Sequence, residues 1–130
     1  MNDPNWREKK MKEQLCEING FQIEDLSKLD MYEVDVIRKV LVILLEWACY
    51  PQNEAGIMLG RRKIAEVPIK CLELNLMHVI KNSFDYSDYW NYRRLLELID
   101  EFVPNLKKEA LCINENSEDP DIIDVINDYK

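Results

Sequence analysis

The chain has 130 residues, 47% of them hydrophobic, and a formal net charge of −8. A chain of this length encloses a core without metals or disulfides, and we expect a single domain over residues 1–130. Three glycines and five prolines are too few for a β-sandwich, and Leu, Ile, Glu and Lys dominate as they do in helical proteins. The composition therefore predicts an all-α fold, and the negative charge argues against nucleic acid or an anionic membrane as a partner.

The first predicted helix begins at Asp3 and Pro4, which supply an N-cap and a proline at the first helical position. It runs to about Ile18, where Asn19 and Gly20 form a C-terminal stop. Residues 21–30 are expected to be a short connector. The first residues carry charge without a following apolar stretch, so we expect no secretory signal and a cytoplasmic protein.

Asp30 is predicted to cap the second helix, which ends at Pro51. Its longest apolar run, residues 40–45, is far shorter than the roughly 18 residues that cross a membrane. Its apolar positions keep helical spacing and cover nearly every side, as in a helix buried at the centre of a core: Val34, Ile37, Val40, Leu41, Leu44, Leu45 and Ala48.

The third helix is predicted over about residues 53–66, and the fourth from Pro68 to about Asn82. Gly56 and Gly60 lie one turn apart but lack the Lys-Ser/Thr pair of a phosphate-binding loop, so we interpret them as positions of close helix packing. The apolar positions are Ile57, Met58, Ile64 and Ala65 in the third helix, and Ile69, Leu72, Leu76 and Val79 in the fourth.

Ser87 or Asp85 is predicted to cap the fifth helix, and Pro104 opens a sixth that ends near position 113. Asp119 and Pro120 repeat the cap-plus-proline signal for a short last helix. The apolar face of the fifth helix is Tyr92, Leu95, Leu96, Ile99 and Phe102, and that of the last is Ile122, Ile123 and Ile126. About seven helices with short loops predict antiparallel neighbours, either in a compact bundle or in a short stack of helical hairpins.

Residues suited to catalysis or metal binding are sparse. The cysteines, which we interpret as buried thiols in a reducing cytoplasm, show no Cys-x-x-Cys spacing: Cys16, Cys49, Cys71 and Cys112. His78 is the one histidine, and Cys71 lies about 10.5 Å from it along the same helix. A nucleophile and its base need about 3 Å. We therefore expect no catalytic residue, no metal site, no cofactor and no enzymatic activity.

The carboxyl-terminal end is acidic. Residues 114–130 contain six acidic residues and a single lysine, which gives this end a local negative field. Such a field attracts a basic protein and accelerates its association. Asp119, Asp121 and Asp124 are therefore candidate partner contacts. The alternative is an acidic end that only keeps the protein in solution.

The segment Phe84–Glu97 contains five aromatic rings. On the predicted fifth helix Tyr86, Trp90 and Arg93 share one side, and Tyr, Trp and Arg are the residues that anchor protein interfaces. We therefore add these three residues to the candidate partner contacts. In the alternative, Tyr86 and Trp90 pack on the preceding helix while Arg93 pairs with Glu97.

This segment, together with Leu59–Pro68 and Ser117–Ile123, resembles a family of small, acidic, all-helical bacterial proteins of the immunity type, encoded beside secreted polymorphic toxins. The resemblance covers about residues 53–129. It implies a HEAT-like stack of helical hairpins and a monomer that binds and neutralises a cognate toxin domain, a basic protein partner, without catalysis. The first half of the chain matches no pattern of this kind.

Two other classes of function stay open. A helical adaptor or structural interaction protein would bind a helix in a groove and would expose an apolar patch. An enzyme that uses carboxylates alone would need two Glu or Asp side chains converging in a pocket with a raised pKa.

Overall fold

The computed structural model describes residues 5–22, 25–50 and 53–130. Over these residues the chain forms α-helices and two 3₁₀ helices, with no strand. The all-α prediction is therefore confirmed. The seven α-helices of this part of the chain are α1 Trp6–Cys16, α2 Val34–Cys49, α3 Glu54–Glu66, α4 Ile69–Ser83, α5 Tyr89–Phe102, α6 Lys107–Cys112 and α7 Pro120–Tyr129. The 3₁₀ helices span Leu26–Met31 and Pro104–Leu106.

The helix α2 lies at the centre of the core. It contacts α1, α3, α4 and α5, and it buries eight side chains, more than any other helix within the described ranges. Val40, Leu41 and Leu44 have no exposed surface. The predicted central position of this helix is confirmed, although Val34, its first residue, is 48% exposed and does not belong to the core.

The segment before α2 differs from the prediction. Asp30 does not cap α2, because it lies within the 3₁₀ helix Leu26–Met31, and α2 begins only after Glu33. Asp25 caps this 3₁₀ helix by accepting a hydrogen bond from the Ser27 backbone N–H at 3.0 Å. Leu29 on the same segment is fully buried, so part of the predicted connector is held in the core by its apolar side chains.

The first helix is shorter than predicted. It ends at Cys16 rather than near Ile18, and Gly20 follows with φ of 88°, a conformation that glycine adopts without steric cost. The predicted N-cap and first-turn proline, Asp3 and Pro4, lie outside the described residues, as does the predicted stop of α2, Pro51.

The contact between α2 and α3 depends on Gly60. A Cβ at this position would lie 2.8 Å from both Ala48 Cα and the Trp47 carbonyl carbon, far inside van der Waals contact. The interpretation of Gly60 as a close-packing position is confirmed. Met58, expected in the core, is 55% exposed. It lies two positions from Gly60, a rotation of about 200° around the helix, and therefore faces the opposite side. Ala65 is exposed as well.

The apolar faces of α4 and α7 were predicted with one error each. Leu72, Leu76 and Val79 are buried on α4 as expected, whereas Ile69 at its first position is 49% exposed. On α7 the buried residues are Ile122 and Val125, with Ile126 partly buried, while Ile123 is 41% exposed. The buried face of α7 is centred on Ile122 and Val125, and Ile123 lies at its edge.

Two of the four cysteines are buried and two are exposed. Cys49 and Cys71 are buried, whereas Cys16 and Cys112 are exposed, so the prediction of four buried thiols is wrong for the latter two. Both exposed thiols are the last residues of their helices, α1 and α6. Burial raises the pKa of the Cys49 and Cys71 thiols, which keeps them protonated near neutral pH. No helix in the described ranges is long and apolar enough to cross a membrane.

The substitution Gly60→Ala tests the α2–α3 contact. Alanine favours a helix by about 1 kcal/mol over glycine, but its Cβ would overlap the Ala48 backbone and push the helices apart. Overpacking of this kind costs about 1–3 kcal/mol, and backbone atoms do not yield as a flexible side chain does. We expect urea unfolding to show a net loss of stability for Gly60→Ala and little change for the exposed control Met58→Ala. A stabilised Gly60→Ala protein would mean that the two helices do not meet there.

Candidate functional site

The start of α5 is fixed by Asp88. Its carboxylate accepts a hydrogen bond from the Asn91 backbone N–H at 3.0 Å, which makes it the N-cap. The predicted caps, Ser87 and Asp85, are both wrong. Asp85 instead accepts from the Ser87 backbone N–H at 3.1 Å and from the Ser87 hydroxyl, so the two residues form a turn before the helix.

Tyr86 consequently lies in this turn and not on α5. Its ring is partly buried and packs against the core, and its backbone carbonyl accepts a hydrogen bond from Asn114 Nδ2 at 2.8 Å. The predicted common helix side of Tyr86, Trp90 and Arg93 therefore does not exist. Tyr86 instead connects the α5 turn to the segment after α6.

Tyr92 sets the rotation of α5 about its axis. Its side chain has no exposed surface, and its hydroxyl donates a hydrogen bond to the Ala110 carbonyl of α6 at 2.8 Å. Burial raises the pKa of Tyr92 to about 12, so this hydroxyl stays a donor. With Tyr92 directed inward, Trp90 and Arg93 lie nearer the surface, on the side of α5 that meets α7.

Four of the six predicted contact residues lie in one cleft between α5 and α7. Trp90 and Arg93 come from α5, Asp121 and Asp124 from α7, and the cleft has a volume of about 520 Å³. Its other lining residues are Tyr89, Asn127 and Asp128. Asp119 is not among the lining residues, because its carboxylate caps α7 by accepting from the Asp121 backbone N–H at 2.9 Å.

Arg93 crosses the cleft from one helix to the other. Its Nη2 donates to Asp128 Oδ2 at 2.7 Å, and its Nε donates to the Tyr89 hydroxyl at 2.9 Å. The guanidinium carbon also lies 5.2 Å from the centre of the Tyr89 ring, within the range of a cation–π interaction. The alternative pairing of Arg93 with Glu97 is therefore wrong, since Glu97 pairs with Arg61 of α3 at 3.3 Å.

Trp90 forms the apolar wall of the cleft and is 52% exposed. The Tyr89 ring meets it edge to face with 4.9 Å between ring centres, and the Arg94 guanidinium lies 5.4 Å from the Trp90 ring centre. Arg94 Nε is buried and has no hydrogen-bond partner among the described residues. Neighbours on both sides along the helix thus hold an aromatic ring at the surface. More than half of Trp90 is exposed, so it does not form the buried contact with the preceding helix that the alternative interpretation proposed.

The charges in the cleft do not cancel. Asp128 is paired with Arg93, whereas Asp121 and Asp124 are exposed and have no ion-pair partner in the described part of the chain. With one Arg against three Asp among the lining residues, the net charge of the cleft is negative. Such a site attracts cationic groups and hydrogen-bond donors and repels phosphate.

A second pocket contains a carboxylate in a different setting. Glu46 lines it together with Trp6, Gln14 and Trp47, and burial raises the pKa of Glu46. The Trp47 indole N–H donates to Gln14 Oε1 at 2.6 Å. Glu46 is the sole carboxylate among the lining residues, whereas carboxylate catalysis needs two.

Elsewhere, His78 is exposed, and residues 5–22, 25–50 and 53–130 contain no group of three His, Cys, Asp or Glu side chains arranged for a metal ion.

Three lining residues of the cleft were not among the predicted contacts: Tyr89, Asn127 and Asp128. Asp128 lies one helical turn after Asp124, so helical spacing could have identified it. Comparison of the chain with known protein families, curated proteins and solved structures finds no match.

The exposure of Trp90 predicts that the cleft can be altered without unfolding the protein. Trp90→Ala should cost no more than about 1 kcal/mol, because half of the ring is already in water. The control Tyr92→Ala, two residues along the same helix, should cost about 3–5 kcal/mol since it opens a cavity in the core and removes a buried hydrogen bond. Denaturant unfolding of both variants measures the difference. Equal losses would show that Trp90 is a core residue.

Proposed function

We propose that this chain is a non-catalytic protein-binding domain, an immunity protein that binds a cognate bacterial toxin and neutralises it. The observation that carries the proposal is the cleft in which a half-exposed Trp90 stands beside the unpaired carboxylates of Asp121 and Asp124. The partner is a basic protein domain, and the α5–α7 cleft lies within the contact.

The composition of this cleft supports a protein partner. Tyr, Trp and Arg are enriched among residues that dominate binding energy, and such residues cluster where water is excluded on association. Here Tyr89, Trp90 and Arg93 lie within five residues of one helix and line one cleft. The carboxylates beside them give the cleft a charge that steers a basic partner during association.

The wider proposal follows the sequence resemblance. The helices form a HEAT-like stack of antiparallel hairpins, and the protein acts as a cytoplasmic monomer without cofactor, nucleic acid or membrane. Neutralisation then consists of covering the active site of the toxin. A stable scaffold with one charged and aromatic face meets this demand, because the inhibitor needs no chemistry of its own.

A helical adaptor is the second candidate function. Met31 and Leu74 are each 78% exposed, and exposed apolar side chains of this size favour contact with another apolar surface. Concentration-dependent sedimentation and hydrophobic-dye binding test this candidate. Self-association that Met31→Ser or Leu74→Ser removes would favour the adaptor.

Co-expression tests the proposed function directly. The gene beside this one should encode a secreted protein with a variable carboxyl-terminal domain, and that domain should arrest growth when expressed in the cytoplasm of a bacterial host. Growth should return when this chain is co-expressed, and the purified proteins should form a complex. An arrested culture that this chain does not rescue, despite equal expression, would overturn the proposal.

Two kinds of substitution should affect the complex differently. Asp124→Asn should slow association and weaken its dependence on salt, because surface charge acts mainly on the association rate. Trp90→Ala should raise the dissociation rate about 30-fold, as expected for an anchor worth about 2 kcal/mol. Surface plasmon resonance at several salt concentrations separates the two effects.

Glu13→Gln is the matched control for charge. Glu13 is exposed on α1, which packs on α2 and α3, and its removal changes the net charge by the same amount as Asp124→Asn. Asp124 is preferred to Asp121 because Asp121 lies in the first turn of α7, where a negative charge stabilises the helix itself. A complex whose rates respond to neither Asp124→Asn nor Trp90→Ala would contact another face of the protein.

A further inference from the structure

The guanidinium of Arg93 already occupies one part of the cleft. Arg93 lies against the Tyr89 ring, with 5.2 Å between the guanidinium carbon and the ring centre, and donates to the Asp128 carboxylate at 2.7 Å. An aromatic face combined with a carboxylate is a favourable environment for arginine, because the planar guanidinium stacks on rings and donates along its edge.

The other half of the cleft contains two carboxylates that no cation pairs in the described part of the chain. Asp121 and Asp124 are three residues apart on α7, so their side chains lie on one helix face about 5–6 Å apart at Cβ. Trp90 lines the same cleft with half of its ring exposed. The Arg94 guanidinium lies 5.4 Å from the Trp90 ring centre, but the residue remains 52% exposed. The cleft therefore leaves the exposed part of Trp90 and two unpaired carboxylates for another molecule.

We propose that this half of the α5–α7 cleft binds an arginine side chain of a protein partner, with the guanidinium at Asp121 and Asp124 and the methylene groups against Trp90. The inference rests on the proposed function and names the chemistry of the partner at that site. Charge complementarity identifies the occupant, since a purely apolar group would strip water from two carboxylates without pairing them.

Arginine fits this site better than lysine for two reasons. Its guanidinium presents donors in a planar fork and can bond both carboxylates together, whereas an ammonium acts as a point charge. A guanidinium is also less strongly hydrated, so it loses less solvation free energy when it leaves water to enter the cleft. The volume of the cleft, about 520 Å³, lies within the range of sites that enclose a small ligand.

Short capped peptides test the inference without an identified partner. The probe is acetyl-Gly-Arg-Gly-amide, titrated into ¹⁵N-labelled full-length protein while the indole N–H signal of Trp90 is followed by NMR. We expect saturable shifts with a dissociation constant on the order of 1–10 mM. The lysine peptide should bind at least about fivefold more weakly, and the neutral citrulline peptide should give no saturable shift.

Paired variants assign the binding to the two carboxylates. Asp121→Asn with Asp124→Asn should weaken binding of the arginine peptide about tenfold or more. The α1 control, Glu13→Gln on α1 with Glu17→Gln just after its last residue, changes the net charge equally and should leave binding unchanged. Circular dichroism checks that each variant is folded, and the single variant Asp124→Asn, which spares the first turn of α7, serves if the double variant unfolds. Equal binding of the lysine or citrulline peptide, an effect of the α1 control as large as that of the cleft variant, or no saturable shift would overturn the inference.

A failure of the arginine inference can be distinguished from a failure of the proposed function. If the arginine peptide does not bind but co-expression still rescues growth, the arginine assignment is wrong and the toxin-binding function stands. If the peptide binds as expected but no neighbouring toxin is neutralised, the cleft recognises arginine in a partner of another kind.

Discussion

The close approach of α3 to α2 at Gly60 is the constraint on which the rest of the structure depends. The absence of a side chain at Gly60 lets the α3 backbone lie against Ala48 of the most buried helix. The next residue, Arg61, then reaches across to Glu97 and Glu101 of α5. These ion pairs are partly exposed and contribute little stability by themselves, but they lie on the side of α5 that faces α3. A single backbone contact in the core thus positions the helix that carries the cleft.

The orientation of α5 follows from Tyr92 and determines which of its side chains line the cleft. Tyr92 is buried and hydrogen-bonded to α6, so the rotation of the helix is fixed by the core and by α6 together. Trp90 and Arg93 then lie toward α7, and Arg93 completes the contact by pairing with Asp128. The cleft is consequently a product of core packing, and a change in the core that rotated α5 would displace the cleft residues together.

The sequence predicted those features that depend on neighbouring residues. Asn53 and Asp119 were assigned to helix starts, and both accept backbone hydrogen bonds there. The start of α5 was misplaced because Asp85, Ser87 and Asp88 all have capping side chains, and only the burial of Tyr92 selects among them. Trp90 and Arg93 were chosen as contacts because their residue types anchor interfaces. Asp121 and Asp124 were chosen because the carboxyl-terminal end is acidic. Their meeting in one cleft depends on how α7 packs on α5, which helical periodicity does not encode.

The helix dipole acts oppositely on Asp121 and Asp128, at the two ends of α7. Asp121 lies in the first turn of α7, where the positive end of the dipole stabilises a carboxylate by about 0.3–1 kcal/mol, so this residue needs no internal cation. Asp128 lies in the last turn, next to the negative end, where a carboxylate is disfavoured unless a cation is close. Arg93 supplies that cation. Arg93 therefore pairs at the carboxyl-terminal end of α7, while Asp121 and Asp124 remain exposed in the same cleft as Trp90.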